Sequence, residues 1–224
     1  FFFKQKPATA ILSGLVGSEM CIRDRNTEVT IDKRLVEIKP GSFIFEFPNA
    51  LSTEICKDII ERFENSEDEH YQGRVGKDFN EDQSIKISTD MVISGKEHWK
   101  DIDETLFTSL AKALSSVKKE YDFFKGAFKD VGYAIQRTNP GEFFHWHIDA
   151  DNPGFSDRQL VAIWYLNDVE GPGGETEFLQ QNVKVKPESG KLILFPPFWT
   201  HEHRGVKLQD GIKYIATTWI VFKQ

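Results

Sequence analysis

Apolar positions change their spacing part-way along this chain. Up to about Phe124 they recur at three- and four-residue steps, and beyond Gly126 they fall into short runs and alternations. Phe43–Phe47 (FIFEF) alternates and predicts a strand. After Pro48, Ser52 is placed to cap a helix reaching about Glu64, with Ile55, Cys56, Ile59, Ile60 and Phe63 on one face. That face makes Cys56 a packing residue rather than a nucleophile. Asn65 to about Ser84 is polar, contains Gly73 and Gly76, and carries little periodicity. A connection of that length is either disordered or a functional cover. From His98 to Phe124 the stripe Trp99, Ile102, Leu106, Leu110, Leu114, Val117 and Tyr121 predicts a helix lying on the core.

Past Gly126 the pattern predicts strands near 132–138, 142–149, 160–166, 175–179, 183–185, 191–195, 201–205 and 213–222. Asn139-Pro140-Gly141, Gly171-Pro172-Gly173-Gly174 and Glu188-Ser189-Gly190 punctuate them. Eight short strands so closely spaced predict a mainly β protein, a double-sheet jelly roll with helices packed outside it. No internal repeat or low-complexity tract interrupts the pattern.

Composition narrows the class. With 39% hydrophobic residues the chain can bury a full core as a single domain. A net charge of -7 and an isoelectric point near 5.4 argue against nucleic-acid and anionic-membrane partners. Cys21 and Cys56 are too few for a disulfide framework or a zinc cluster, which favours a reducing, cytoplasmic setting. No apolar run approaches the roughly 18 residues of a membrane span. Residues 1–25 differ in composition from the rest, and SGLVGSEMCIRDR resembles peptides produced when sequencing adapters are translated. Residues 1–34 are therefore expected to be a leader, and 35–224 the domain.

The chemistry centres on GEFFHWHIDA, Gly141 to Ala150. On a strand, side chains two apart share a face, so His147 and Asp149 point the same way. One imidazole beside one carboxylate is two thirds of a 2-His-1-carboxylate facial triad, the set that leaves positions open on a non-haem Fe(II) centre. WTHEHRG, Trp199 to Gly205, offers His201 and His203 for the third place. His145 also shares the face of His147 if the pairing is regular. An isolated H-x-D more often means unrelated surface residues, so the context decides.

NPGEFFHWHID, RQLVAIWYLND, GGETEF, GKLILFPPFWTHEHRG and GIKYIATTW follow in that order. Together they resemble the prolyl 4-hydroxylase branch of the 2-oxoglutarate- and Fe(II)-dependent dioxygenases, over about Val131–Phe222. Phe43–Glu64 resembles that family's first strand and helix. The resemblance implies a double-stranded β-helix (jelly roll) with N-terminal supporting helices. It also implies Fe(II), 2-oxoglutarate and O2 as cofactor and cosubstrates, with room for ascorbate. The implied reaction couples decarboxylation of 2-oxoglutarate to succinate with C–H hydroxylation of a peptide or small molecule.

The resemblance assigns the metal ligands to His147, Asp149 and His203. The family's distal histidine lies about ten residues before its 2-oxoglutarate-binding basic residue, and Lys213 is ten residues after His203. That spacing favours His203 over His201, and leaves His145 and His201 as supporting or surface groups. Lys213 is the expected partner of the distal carboxylate, as a compact point charge. Tyr165 matches a position that helps hold the same carboxylate. Thr217 and Trp219 share the face of Lys213 by the two-residue period. Where the family commonly has Tyr, this chain has Arg137 and Thr138. Arg137 is a candidate contact for a carboxylate, or else pairs with an acid at the barrel rim. A cupin-like oxygenase or isomerase, or a metal-stabilised binding module, is the alternative reading.

Overall fold

The computed structural model describes residues 36–223 apart from Lys77, Phe79 and Phe123. The expected leader, residues 1–34, lies outside the described residues. In chain order come β1 (Val36–Glu37), β2 (Phe45–Phe47), α1 (Thr53–Glu64), β3 (Tyr71–Gln72), β4 (Lys86–Ile87), β5 (Thr89–Val92) and α2 (Lys100–Glu120). Then follow β6 (Phe128–Asp130), β7 (Ala134–Thr138), β8 (Phe143–His147), β9 (Arg158–Tyr165) and β10 (Thr176–Phe178). The last four are β11 (Val183–Val185), β12 (Leu192–Phe195), β13 (His203–Gly205) and β14 (Lys213–Phe222).

These strands form two antiparallel sheets, the jelly roll expected from the sequence. The larger runs β1-β2-β12-β9-β14-β7-β5-β3, with β6 also on β14, and the smaller runs β11-β10-β13-β8-β4. The central strands of the larger sheet are buried on both faces, which is why their sequences are almost continuously apolar. On β9, Leu160, Ala162 and Trp164 pack with the helices. Val161, Ile163 and Tyr165 face the other way, against Phe178, Val183 and Val185 of the smaller sheet. Leu192 and Leu194 of β12 join the helix side, while Ile193 and Phe195 join the space between the sheets. Strand β14 obeys the same parity, sending Tyr214, Ala216 and Ile220 to the helices. Its other row, Lys213, Ile215, Thr217 and Trp219, is thereby turned into the sandwich.

Helix α1 begins where its cap dictates. Ser52 has extended backbone and its hydroxyl accepts from Ile55 N, and the buried face is Cys56, Ile59 and Phe63. Burial pushes the Cys56 thiol up, as befits a packing residue. Helix α2 buries Ile102, Leu106, Leu110, Ala113 and Val117, continuing the stripe from a buried Trp99. The indole N–H of Trp164 donates to Ser109 Oγ at 3.0 Å, and Ser109 donates on to Ala50 O at 3.0 Å. This chain ties α2 to the sheet and pairs the buried Trp164 donor.

Some expectations change. Helix α2 stops at Glu120 rather than near Phe124. The stretch expected as 201–205 is a strand only from His203, because Trp199–His201 forms a single 3-10 turn. Within and after the polar segment lie β3, β4 and β5, strands of two to four residues. Runs that short hold too few alternations to register as periodicity.

Candidate metal centre and its cleft

His147 closes β8 and His203 opens β13, and the antiparallel register sets the two directly opposite each other. Their ring centroids are 4.2 Å apart. Asp149 lies two residues past the end of β8. Its backbone N–H and that of Ala150 both donate to Pro197 O, at 3.0 Å each. One donor atom from each of His147, Asp149 and His203 lies within 4.8 Å of the others.

The imidazoles are oriented by backbone. His147 Nδ1 sits 2.8 Å from His145 O, and His203 Nδ1 sits 3.0 Å from His201 O. A carbonyl can only accept, so each Nδ1 carries the proton and each Nε2 keeps its lone pair for an ion. Burial, reinforced by neighbouring His203, holds the His147 imidazole down to about 3, in its neutral ligating form. Asp149 Oδ1 accepts from the Trp219 indole at 2.8 Å. Its Oδ2 is buried without a hydrogen-bond partner, 3.3 Å from His203 Nε2. A buried carboxylate oxygen left unpaired is costly. A divalent cation held by His147, Asp149 and His203 would resolve the cost, and three protein donors would leave room for further ligands. The donor set fits Fe(II).

The three donors line a cleft of about 680 Å³, its open mouth included, and Lys213 lines the same cleft. This lysine is 6% exposed, and its ammonium donates to Gly174 O at 3.1 Å. Burial pushes its pKa down to about 8, against the pull of Glu175 and with a push from Lys86. The turn that supplies this carbonyl requires glycine. Gly173 has φ +88°, and a Cβ there would meet Lys207 O at 2.1 Å.

Thr217 lines the cleft with its hydroxyl bonded to Ala162 O at 3.1 Å. Tyr165 stands one side chain further back. It is fully buried, and its hydroxyl donates to Thr176 Oγ1 at 2.7 Å, with Thr176 on the cleft wall. Arg137 is directed elsewhere than to a carboxylate ligand. Strand parity gives the cleft Gln136 and Thr138, while Arg137 pairs with Glu64 at 2.7 Å on the opposite face. That is the rim pairing, and Tyr214 donates to the same Glu64 at 2.9 Å.

His145 does not share a face with His147. The β8–β13 register shifts between His203 and Gly205, a bulge that brings Phe144 onto the His147 side. Phe144 stacks on His147 with centroids 3.6 Å apart, and His145 is exposed. His201 is buried but faces away, its Nε2 2.8 Å from Ser42 O. Lys86 was invisible to the sequence reading. It lines the cleft at 5% exposure, paired to Asp90 at 2.6 Å, with Ser88 bonded to the same carboxylate. The signal that could have found it is the period-two row Lys86, Ser88, Asp90 inside IKISTD.

Residues 133–221 match the model of the 2OG-Fe(II) oxygenase superfamily, a segment that contains every donor described above. Over that segment the chain is similar to the 2OG-Fe(II) oxygenases. Fe(II), 2-oxoglutarate and O2 are the cofactor and cosubstrates of that family. The fold is similar to the viral collagen prolyl hydroxylase of Paramecium bursaria Chlorella virus-1 in its 2OG complex. That match has 21% identity and TM-score 0.63, over 84% of this chain and 100% of that one. It is similar, too, to a prolyl hydroxylase from Trichoplax adhaerens in complex with a hypoxia inducible factor peptide fragment. There the identity is 18% and the TM-score 0.69, over 81% and 84% of the chains. A prolyl-4-hydroxylase from Pseudomonas putida matches at 19% identity and TM-score 0.63, over 80% and 92%. The comparison with curated proteins gives no match. No helix among the described residues is long and apolar enough to cross a membrane.

Proposed function

We propose that this chain is a 2OG-Fe(II) oxygenase, a hydroxylase of the prolyl 4-hydroxylase type acting on a peptidyl or small-molecule substrate, with residues 35–224 as its single catalytic domain. In this reading His147, Asp149 and His203 hold Fe(II), and Lys213 holds the distal carboxylate of 2-oxoglutarate. The bound iron supplies the oxidising chemistry that couples decarboxylation of 2-oxoglutarate to succinate with hydroxylation of a C–H bond. The residues do the rest. The two Nδ1 bonds and the Trp219 bond fix the ligand directions. Lys213 sets the depth and orientation of the cosubstrate, and Thr217 and Thr176 line its path. Apolar Val161, Ile163 and Ile215 line the same cleft and help to exclude water from it.

The observation that carries the proposal is the pairing of a buried lysine with an unpaired carboxylate oxygen in one cleft. Among the described residues no acid forms an ion pair with Lys213, so this cation and the Asp149 oxygen are both left to be completed by a ligand. A molecule with a carboxylate at one end and a metal-chelating group at the other completes both. A cupin-like oxygenase has no need of the buried cation. The test is anaerobic reconstitution with Fe(II), then admission of O2 in the presence of 2-oxoglutarate and panels of prolyl peptides, other peptides and free amino acids. Succinate formed in step with a hydroxylated product is expected. Substrate turnover with no consumption of 2-oxoglutarate would move the cupin-like reading ahead.

A further inference from the structure

We propose that Trp219 and Arg158 are positioning residues for Asp149, holding its carboxylate so that a single oxygen is presented to the metal. The proposal rests on the reading that His147, Asp149 and His203 hold Fe(II), and adds what sets that site's affinity.

Asp149 needs such help because of where it sits. It lies beyond the last paired residue of β8, so no ladder hydrogen bond fixes its main chain. Three other bonds do so. Two are the amides of Asp149 and Ala150 to Pro197 O, and the third is Arg158 Nη1 donating to Asp149 O at 2.6 Å. Among the described residues the side chain is then fixed by one hydrogen bond, Trp219 Nε1 to Oδ1 at 2.8 Å. With Oδ1 so engaged, Oδ2 is the oxygen left facing His203 Nε2. Without the indole, the carboxylate is free to rotate about its last torsion, to chelate through both oxygens or to turn away.

Trp219 is itself held. The Arg158 guanidinium lies 3.9 Å from the Trp219 ring centroid and 3.7 Å from that of Phe155, a cation between two aromatic faces. The indole plane, and with it the direction of its N–H, is therefore set by the same arginine that pins the Asp149 carbonyl. The residue type matters as well. An indole donates and cannot accept, so it can direct the carboxylate without competing for the ion as a histidine or carboxylate would. Trp219 also shares its β14 row with Lys213 and Thr217. The register of one strand thus sets both the cosubstrate cation and the carboxylate clamp.

The test is the dissociation constant of Co(II), measured anaerobically by visible absorption. It is measured in the unmutated protein, in Trp219→Phe, in Arg158→Lys, and with 3-benzothienylalanine at 219, which keeps the indole shape and lacks the N–H. Loss of such an outer partner typically weakens metal binding about 10- to 100-fold. That loss is expected for both position-219 variants, with a smaller one for Arg158→Lys and an unchanged melting temperature of the metal-free benzothienyl protein. A purely structural Trp219 would lower the melting temperature and leave the affinity of the folded protein alone. Binding within about twofold of the unmutated protein in both position-219 variants would overturn the clamp and leave the metal site standing. Weakening in Trp219→Phe with none in the benzothienyl protein would overturn the hydrogen bond in favour of shape. Absence of Co(II) binding in the unmutated protein would overturn the metal-site reading and this inference with it.

Discussion

At the scale of single residues, two assignments carry the account. His203 and His201 are two positions apart, yet one faces His147 and the other bonds Ser42 O. His203→Ala is expected to abolish Fe(II)-dependent turnover, while His201→Ala retains a measurable fraction with a lowered melting temperature. An active His203→Ala beside a dead His201→Ala would reverse the assignment. The second is the charge on Lys213, whose pKa is lowered from 10.5 to about 8 chiefly by burial. The cosubstrate's carboxylate needs the protonated form, so 2-oxoglutarate affinity should be level below pH about 8 and fall above it. Between about 8 and 10.5 the unfolded chain holds a proton that the folded protein lacks. Through this group the ligand-free protein therefore gains stability as pH rises across that window. Anaerobic titrations between pH about 7 and about 9.5 check the binding arm. An affinity that does not fall above 8 would detach Lys213 from the carboxylate.

Among the elements, β14 does the most. Its period-two row Lys213, Thr217, Trp219 was legible from sequence, because a ten-residue strand keeps its parity. Parity failed where the ladder is irregular. The β8 bulge puts Phe144, not His145, beside His147, and nothing in FFHWHID marks it. Arg137 and Thr138 could not be told apart without knowing the phase of β7, and that phase gives the cleft to Thr138. Resemblance set Tyr165 beside the distal carboxylate, but its place behind Thr176 was not legible, since reach is a matter of packing rather than spacing. The polar segment hid most. Its amide at Gly73 donates to Ser88 O at 2.9 Å, and a Cβ on Gly73 would meet Ser88 Oγ at 2.3 Å, so at Gly73 the segment packs against the cleft-lining Ser88. If Asn65–Ser84 covers the substrate, limited proteolysis should cut there in the ligand-free protein, and substrate with 2-oxoglutarate should slow the cut. Equal rates with and without ligands would make the segment an ordinary surface loop.

For the whole molecule, the division of labour follows from the two cores. The helix-side core backs the larger sheet and the core between the sheets adjoins the cleft, so His147 and His203 stand on paired strands and Asp149 just beyond one of them. The jelly roll was readable because eight strand signals follow one another with turn residues between them. The site was readable because its donors sit within or beside those strands. Lys86 was not, since it belongs to a two-residue strand. The measurement that bears most directly on the central claim is an anaerobic titration of the Fe(II)-loaded protein with 2-oxoglutarate, unmutated and as Lys213→Met. Removing one partner of a buried charge pair typically costs about 3–5 kcal/mol, which is a weakening of roughly a hundredfold or more. One-to-one binding in the unmutated protein, lost by that factor in Lys213→Met while Fe(II) affinity is unchanged, is the expected result. Equal binding by the two proteins, or none by the unmutated one, would contradict it.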